Sequence, residues 1–292
     1  MPLRESTVLA GIGLMVAAGF LFTVMDATAK YLGQRYPVIE VAWGRYLFAA
    51  LSLPLMVDRG GGFAAIRSRR LGLQLLRSLF LLGSTCFFWL AVKFVPLADA
   101  TAVSFVGPLM VTALSVPVLK EQVGRRRWAA VLIGFIAALV IIRPGPGMAN
   151  PASLLPLASA ACFALYAICT RILSRWDGWA TTLVWSAAAG LVLLSALAPL
   201  DWRMPDARGW AELAFLGFLG SLAHMLMILA YARAPASILA PLSYLQLIWS
   251  TVIGLVLFGN FPDAWTLAGG GVIAASGLYV IHRERQRRAE AA

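Results

Sequence analysis

AVKFVPLADATAVSFVGPLMVTALSVPVLKE, residues Ala91 to Glu121, decides the fold, because Ala230 to Asn260 repeats its layout near the other end of the chain. Each stretch opens with a short polar elbow that ends in a proline, Pro96 or Pro235. Each then stays apolar for about twenty residues, the length that crosses a bilayer as helix. In the first run Thr101, Ser104, Pro108, Thr112 and Ser115 fall at steps of three or four, so hydroxyls and a proline share one helical face. Lipid offers such a stripe nothing, so the face is expected to look inward. A shift of 139 residues lays Pro235 on Pro96, Ser243 on Ser104, Tyr244 on Phe105 and Thr251 on Thr112.

The composition is that of an integral membrane protein. Of 292 residues 61% are hydrophobic and only 13% charged, with a mean hydropathy of +0.82. A soluble domain of this size needs more charge on its surface. The formal charge of +11 sits in short loops between apolar runs. That points to orientation in the membrane and attraction to anionic lipid rather than to nucleic acid. Cys86, Cys162 and Cys169 all lie in apolar runs without a C-x-x-C pattern, so neither a disulfide framework nor a metal site is indicated.

Ten apolar segments follow one another: 8–32, 38–57, 71–92, 97–119, 128–142, 152–173, 179–200, 210–232, 236–258 and 264–281. In lipid, helices are the economical way to satisfy so many consecutive backbones. With the N-terminus inside, the cytoplasmic segments collect Arg4, Arg59, Arg67, Arg69, Arg70, Lys120, Arg125 to Arg127, Arg171, Arg175, Arg233 and the basic tail after His282. The opposite loops hold Arg35, Lys93, Arg143, Arg203 and Arg208. This asymmetry predicts that both termini are cytoplasmic. Trp128, Trp176, Trp179, Trp202, Trp210 and Trp265 fall at span ends, as an interfacial belt places them.

Further matches extend the repeat. Ala17 to Leu32 lies against Ala158 to Leu173 at an offset of 141, and Trp128 with Gly134 meets Trp265 with Gly271 at 137. Halves of 1–147 and 148–292 result, each with five spans. Five is odd, so two halves folded alike must be inverted relative to one another. The expected fold is all-α and integral to the membrane, with ten transmembrane helices in two inverted repeats and a substrate site where the halves meet.

Trp43-Gly44-Arg45-Tyr46 in the second span, Ala91 and Pro96 at the elbow, Pro108 in the fourth span, Glu121 at its end and Gly134 beyond resemble the EamA repeat of the drug/metabolite transporter superfamily. The second half resembles it more loosely, with Ala187 in the place of Arg45 and Asn260 in that of Glu121. The resemblance implies a carrier of small metabolites that works by alternating access without ATP. Within the superfamily the chain looks most like bacterial exporters of aromatic and other neutral amino acids, which implies the bacterial inner membrane. None of Lys30, Lys93 and Lys120 follows a glycine, so no Walker lysine contradicts this.

A carrier needs polar groups facing a cavity and apolar surface for the rest of its ligand. The ninth segment offers Ser243, Tyr244, Gln246 and Trp249, the last a mid-span tryptophan that either packs as core or lines a cavity. The eighth offers His224 and Met227. The third, which the repeat aligns with it, offers Ser84, Thr85, Phe88 and Trp89, with Thr85 opposite His224. Thr101, Ser104 and Tyr166 complete the expected lining. His224 either contacts substrate or bonds a neighbouring helix.

Charges inside spans cost about 3 kcal/mol even on insertion scales, so each needs a reason. Asp26 and Lys30 stand one turn apart and read either as a local ion pair or as a proton-coupling acid beside a snorkelling lysine. Arg45 and Arg77 either anchor packing or attract a substrate carboxylate. Pro108 and Pro241 interrupt their helices and are candidate pivots. No cofactor is called for, and the sequence allows a monomer. Two readings compete with amino acid export: another cargo, such as a nucleotide conjugate or a drug, and a membrane-embedded enzyme. His224 and the tail residue His282 are too few for the catalytic clusters of the latter.

Overall fold

The computed structural model describes residues 5–56, 67–120, 123–143, 150–173, 175–231, 233–234 and 236–290. Arg4, Arg59, Glu121 and the second elbow proline, Pro235, lie outside them. Twelve α-helices run in order through the described residues: α1 (Glu5–Leu32), α2 (Val38–Met56), α3 (Leu71–Phe94), α4 (Leu97–Ser104), α5 (Gly107–Leu119), α6 (Arg125–Ile142), α7 (Leu155–Leu173), α8 (Trp179–Leu197), α9 (Ala207–Tyr231), α10 (Ala236–Leu239), α11 (Leu245–Phe258) and α12 (Ala264–Glu290). Seven of the spans among the described residues, Leu97–Leu119 among them, are long and apolar enough to cross a membrane, and Leu242–Phe258 is a shorter apolar one.

The fourth and ninth segments, which read as continuous runs, are each broken. After α4 the chain turns at Phe105 and Val106, whose N–H groups bond back to Thr101 and Val103 at 3.2 and 3.1 Å, and α5 then starts afresh. Pro108 stands in the first turn of α5, where its missing N–H has no partner to lose. In the second stretch Ala240–Tyr244, which contains Pro241, forms a 3₁₀ turn between α10 and α11. Both prolines thus mark interruptions, one just after the break and one within it.

Helices pack as an exchange of halves demands. α1 lies against α9 and α3 against α7, which is the same contact with the partners swapped, and α2 faces α8 while α6 faces α12. Phe105 and Tyr244, matched by the sequence offset, stack with ring centroids 5.0 Å apart. A residue can touch its own counterpart only near a two-fold axis, so that axis runs close to this pair. Small residues allow the close approaches. A Cβ on Gly190 of α8 would lie 2.5 Å from the Tyr46 ring of α2.

Two polar knots tie α3 to α7, α8 and the loop between them. Arg77, only 2% exposed, donates from Nε to Thr170 at 2.7 Å, from Nη1 to Ser186 at 2.8 Å and the Thr182 carbonyl at 3.2 Å, and from Nη2 to Tyr166 at 3.1 Å. Its carbon also sits 4.6 Å from the Tyr166 ring centre. The guanidinium is therefore held by hydroxyls, a carbonyl and a π face. Asp177, in the loop before α8, accepts from Ser68, from the Arg69 N–H at 2.9 Å and from Gln74 at 2.9 Å. At the end where α1 stops and α9 begins, Leu32, Tyr36, Val41, Leu194, Leu213 and Leu216 form an apolar plug.

Replacing Arg77 by leucine removes four hydrogen bonds. Thr170 and Ser186 keep their own bonds to the Tyr166 and Thr182 carbonyls. The Tyr166 hydroxyl loses its donor, and each buried group left unmet costs about 1–3 kcal/mol. Thermal unfolding of the purified chain in detergent is expected to fall by on the order of 10 °C, and a melting point equal to the parent would contradict the knot. Asp177 lies outside the spans. Burial pushes its carboxyl upward, but the Ser68, Arg69 and Gln74 donors outweigh this and hold it below the usual carboxylate range. Its contribution is present above about pH 4, the unfolded value, and is lost as pH falls through the lower folded one. Unfolding curves of Asp177→Asn should lack this acid-side loss; an unchanged pH dependence would argue against it.

Candidate substrate site

Charged and ring side chains of α1, α2, α3 and α9 converge inside the bundle, just beneath the apolar plug. Asp26 stands six residues before the end of α1, about 9 Å along its axis. Its carboxylate accepts from the Trp89 indole N–H of α3 at 2.9 Å. One turn earlier on the same face of α3, the Thr85 hydroxyl accepts from Arg45 of α2 at 3.1 Å. The Arg45 guanidinium carbon also lies 5.6 Å from the Trp89 ring centre and 5.1 Å from that of Tyr46. Such faces stabilise a cation while leaving N–H groups free.

From α9, Gly220 and His224 complete the wall. A Cβ at Gly220 would meet Met25 sulfur at 3.1 Å and Arg45 Nε at 3.5 Å, so the absent side chain makes room for both. His224 Nδ1 lies 2.8 Å from the Gly220 carbonyl. A carbonyl only accepts, so a proton is assigned to Nδ1, and in the neutral ring Nε2 then carries a lone pair. Neutral His224 is thus an acceptor toward a ligand, and Phe22 meets its ring edge-on at 4.8 Å. Asp26, Arg45, Thr85 and His224 all remain partly exposed, although Trp89 is buried. The space among these partly exposed groups is the candidate substrate hollow.

The other expected residues divide by what they touch. Lys30 does not pair with Asp26. Its ammonium donates to the Val92 carbonyl and, at 2.7 Å, to that of Val95, and lies 5.3 Å from the Phe258 ring centre. The reason is the helix end: the last carbonyls of α3 precede Pro96, which has no N–H to offer, and a buried ammonium satisfies them. Ser84 turns to α7, with its hydroxyl 3.2 Å from that of Ser159. Thr101 bonds the Leu97 carbonyl of its own helix at 2.8 Å. Phe88 and Met227 pack into apolar clusters, and Tyr166 is taken up by Arg77.

Beyond α1, Trp249 meets Phe20 edge-on at 5.4 Å, and Gln246 crosses Gly19, where a Cβ would lie 3.4 Å from its Cγ. The Trp249 indole N–H, the Tyr244 hydroxyl and the Ser104 hydroxyl are buried without hydrogen-bond partners among the described residues. Ser243 lies half-buried in the 3₁₀ turn. Sequence reasoning gave Tyr46 and Gly220 no part in the site, and missed the link from Asp26 to Trp89. The available signal was spacing: Phe22 and Asp26, Thr85 and Trp89, and Gly220 and His224 are each four residues apart.

Among the described residues the chain is an all-helical, multi-pass bundle with an acid and a guanidinium inside it, the build of a membrane carrier. The EamA-like transporter family matches residues 9–143 and again 150–282, and this chain belongs to that family. It is 30% identical to an S-adenosylmethionine uptake transporter of Rickettsia felis, over 96% of this chain and 95% of that one. It is equally 30% identical to a riboflavin transporter of Vibrio cholerae, with the same shares covered. A pseudopaline exporter of Pseudomonas aeruginosa is 27% identical over 91% of this chain and 94% of its own. A solved crystal structure, 21% identical, superimposes with a TM-score of 0.65 over 95% of this chain and 98% of that chain, which shows a shared fold. The chain is accordingly a metabolite transporter and not an enzyme. The specific expectation of amino acid cargo is not carried by these relatives, and another metabolite on the same fold fits them better.

Proposed function

We propose that the chain is an ATP-independent carrier of a small amphipathic metabolite with a zwitterionic head and a ring, working by alternating access between halves 1–147 and 148–292. The observation that carries this reading is that Asp26 and Arg45 face one partly open hollow while each turns to a neutral partner, Trp89 or Thr85. Opposite charges kept apart at membrane depth are costly unless a ligand completes them. A ligand carboxylate suits Arg45, whose planar fork binds it through paired hydrogen bonds. A ligand cation suits Asp26. The ring lies against Trp89, Phe22 and His224, and the Nε2 lone pair of His224 accepts from an amino group on it.

An α-amino acid joined to an amino-bearing heterocycle meets all three demands. S-adenosylmethionine, for which the Rickettsia relatives are named, has this chemistry, and riboflavin lacks the zwitterion. Free aromatic amino acids fill only part of the site. We place the carrier in a bacterial inner membrane with both termini cytoplasmic, on the strength of the basic loops.

In reconstituted liposomes without nucleotide, labelled S-adenosylmethionine should exchange across the membrane, and unlabelled S-adenosylmethionine should compete better than riboflavin or phenylalanine. Arg45→Gln and Asp26→Asn should each cut exchange at least about tenfold, the effect of losing a charged hydrogen bond. Riboflavin carried in preference, or both variants exchanging at the parental rate, would end the zwitterion assignment. His224→Phe keeps the ring and removes the acceptor. It should raise the half-saturating concentration of S-adenosylmethionine about three- to tenfold and leave phenylalanine competition unchanged; equal shifts for both would count against the acceptor role.

A further inference from the structure

Behind the substrate site, on the outside of the bundle, a groove of about 600 Å³ runs between α1, α9 and α11. That volume lies within the range of about 300–1,000 Å³ usual for small-ligand pockets. Phe20 and Val24 of α1, Phe215 of α9 and Val252, Val256 and Phe258 of α11 form most of its walls. Polarity is confined to one end, where Thr28, Tyr31 and Glu212 line it. The opposite face of α1 carries Phe22 and Asp26, so the groove and the substrate site share a single helix as their partition.

The polar end is built rather than incidental. Glu212 accepts from Arg208 Nε at 2.9 Å and also from Arg35, and Arg208 Nη2 reaches the Tyr31 hydroxyl at 3.2 Å. Arg35 is stacked on Tyr31, 4.9 Å from its ring centre. One carboxylate thus serves two guanidiniums, and Arg208, fixed at two points, is still 69% exposed. Trp43, Trp202 and Trp210 cluster at the same end of the bundle, where α2 and α9 begin. Their place is the headgroup level of a bilayer. Asp206 also lies near Arg208, so what the slot offers above its apolar length is one exposed guanidinium held in place, a donor that fits the phosphate of one lipid molecule.

We infer that this groove is a specific site for an anionic phospholipid, with an acyl chain between α1 and α11 and the phosphate on Arg208. A zwitterionic choline lipid fits less well, because its outer cation would face the guanidinium pair. The bound lipid braces the outer side of α1 while its inner side handles substrate. The inference stands apart from the identity of the cargo, since its groups do not face the hollow.

The test is native mass spectrometry of the purified full-length chain in detergent, titrated with phosphatidylglycerol or phosphatidylcholine. The parent should retain one phosphatidylglycerol per chain in preference to phosphatidylcholine. Arg208→Gln, which leaves Glu212 its Arg35 partner, should lower that occupancy several-fold. Val252→Trp, which fills the slot, should abolish it, with both variants melting as the parent does. Equal retention of the two lipids, or equal occupancy in the parent and both variants, would overturn the inference. So would displacement of the lipid by S-adenosylmethionine or riboflavin, since the groove would then be a route for cargo. A variant that unfolds is replaced by Phe215→Trp, which narrows the slot from α9 and carries the same expectation.

Discussion

In hydrocarbon, a polar group with no partner has no water to fall back on, and the whole arrangement of this bundle follows from that constraint. Three cations, Lys30, Arg45 and Arg77, lie inside the apolar segments of the first family match, and the structure uses them differently. Arg77 gives its N–H groups to α7 and α8, and Lys30 gives its ammonium to the carbonyls at the end of α3. Both are consumed in holding helices together. Arg45 gives one N–H to Thr85 and rests on two rings, so it keeps donors in reserve. The same test separates the acid from its neighbours, because Asp26 accepts one indole N–H and still faces open space. What identifies a binding group here is therefore unspent capacity, and presence inside a span does not suffice.

The same constraint explains where the helices break. Interrupting a transmembrane helix frees backbone groups, which is tolerable only where neighbours or a cavity receive them. The two breaks, at Phe105–Val106 and across Ala240–Tyr244, occur at matched positions and meet through Phe105 and Tyr244. Interruption at the two-fold axis places short, independently oriented half-helices where the two stretches meet. Unlike a continuous helix, such a joint absorbs a change of angle in a few residues. The buried Ser104 and Tyr244 hydroxyls that lack partners among the described residues in this arrangement lie at these same joints. A second arrangement of the halves would offer them different neighbours.

Much of this was legible in the residues. Hydropathy gave the helices nearly to their ends, as with the sequence limits 38–57 against α2 at Val38–Met56, because span length is set by the bilayer and not by tertiary contacts. It read 97–119 as one helix because it measures oiliness and is blind to backbone angle; Pro108 hinted at the break but sits in the turn after it. The charged residues of the site were equally legible, since a carboxylate or guanidinium in lipid stands out in any sequence. Their partners were not. Ser84 and Thr85 are adjacent and chemically alike, yet a rotation of about 100° along a helix sends one to Ser159 and the other to Arg45. Proximity along α1 offers Asp26 as one of two readings for Lys30, a local ion pair. Sequence spacing could not show that the orphan carbonyls of α3, some sixty residues away in the chain, would claim it.

The division of the site between the two family matches bears on how it would work. Asp26, Arg45, Thr85 and Trp89 all come from the first match, and Gly220 and His224 from the second. Packing cuts across that division, because α1 and α2 both lie against α9 while α3 lies against α7. Asp26, Arg45 and His224 therefore stand on α9 and the two helices packed against it, and Thr85 and Trp89 stand on a helix held mainly by a different neighbour. A movement that separated α3 from α9 would leave the acid, the guanidinium and the imidazole near one another and change the reach of Trp89 and Thr85. Bonds made in only one arrangement supply the difference between states that a ligand needs in order to shift the equilibrium between them.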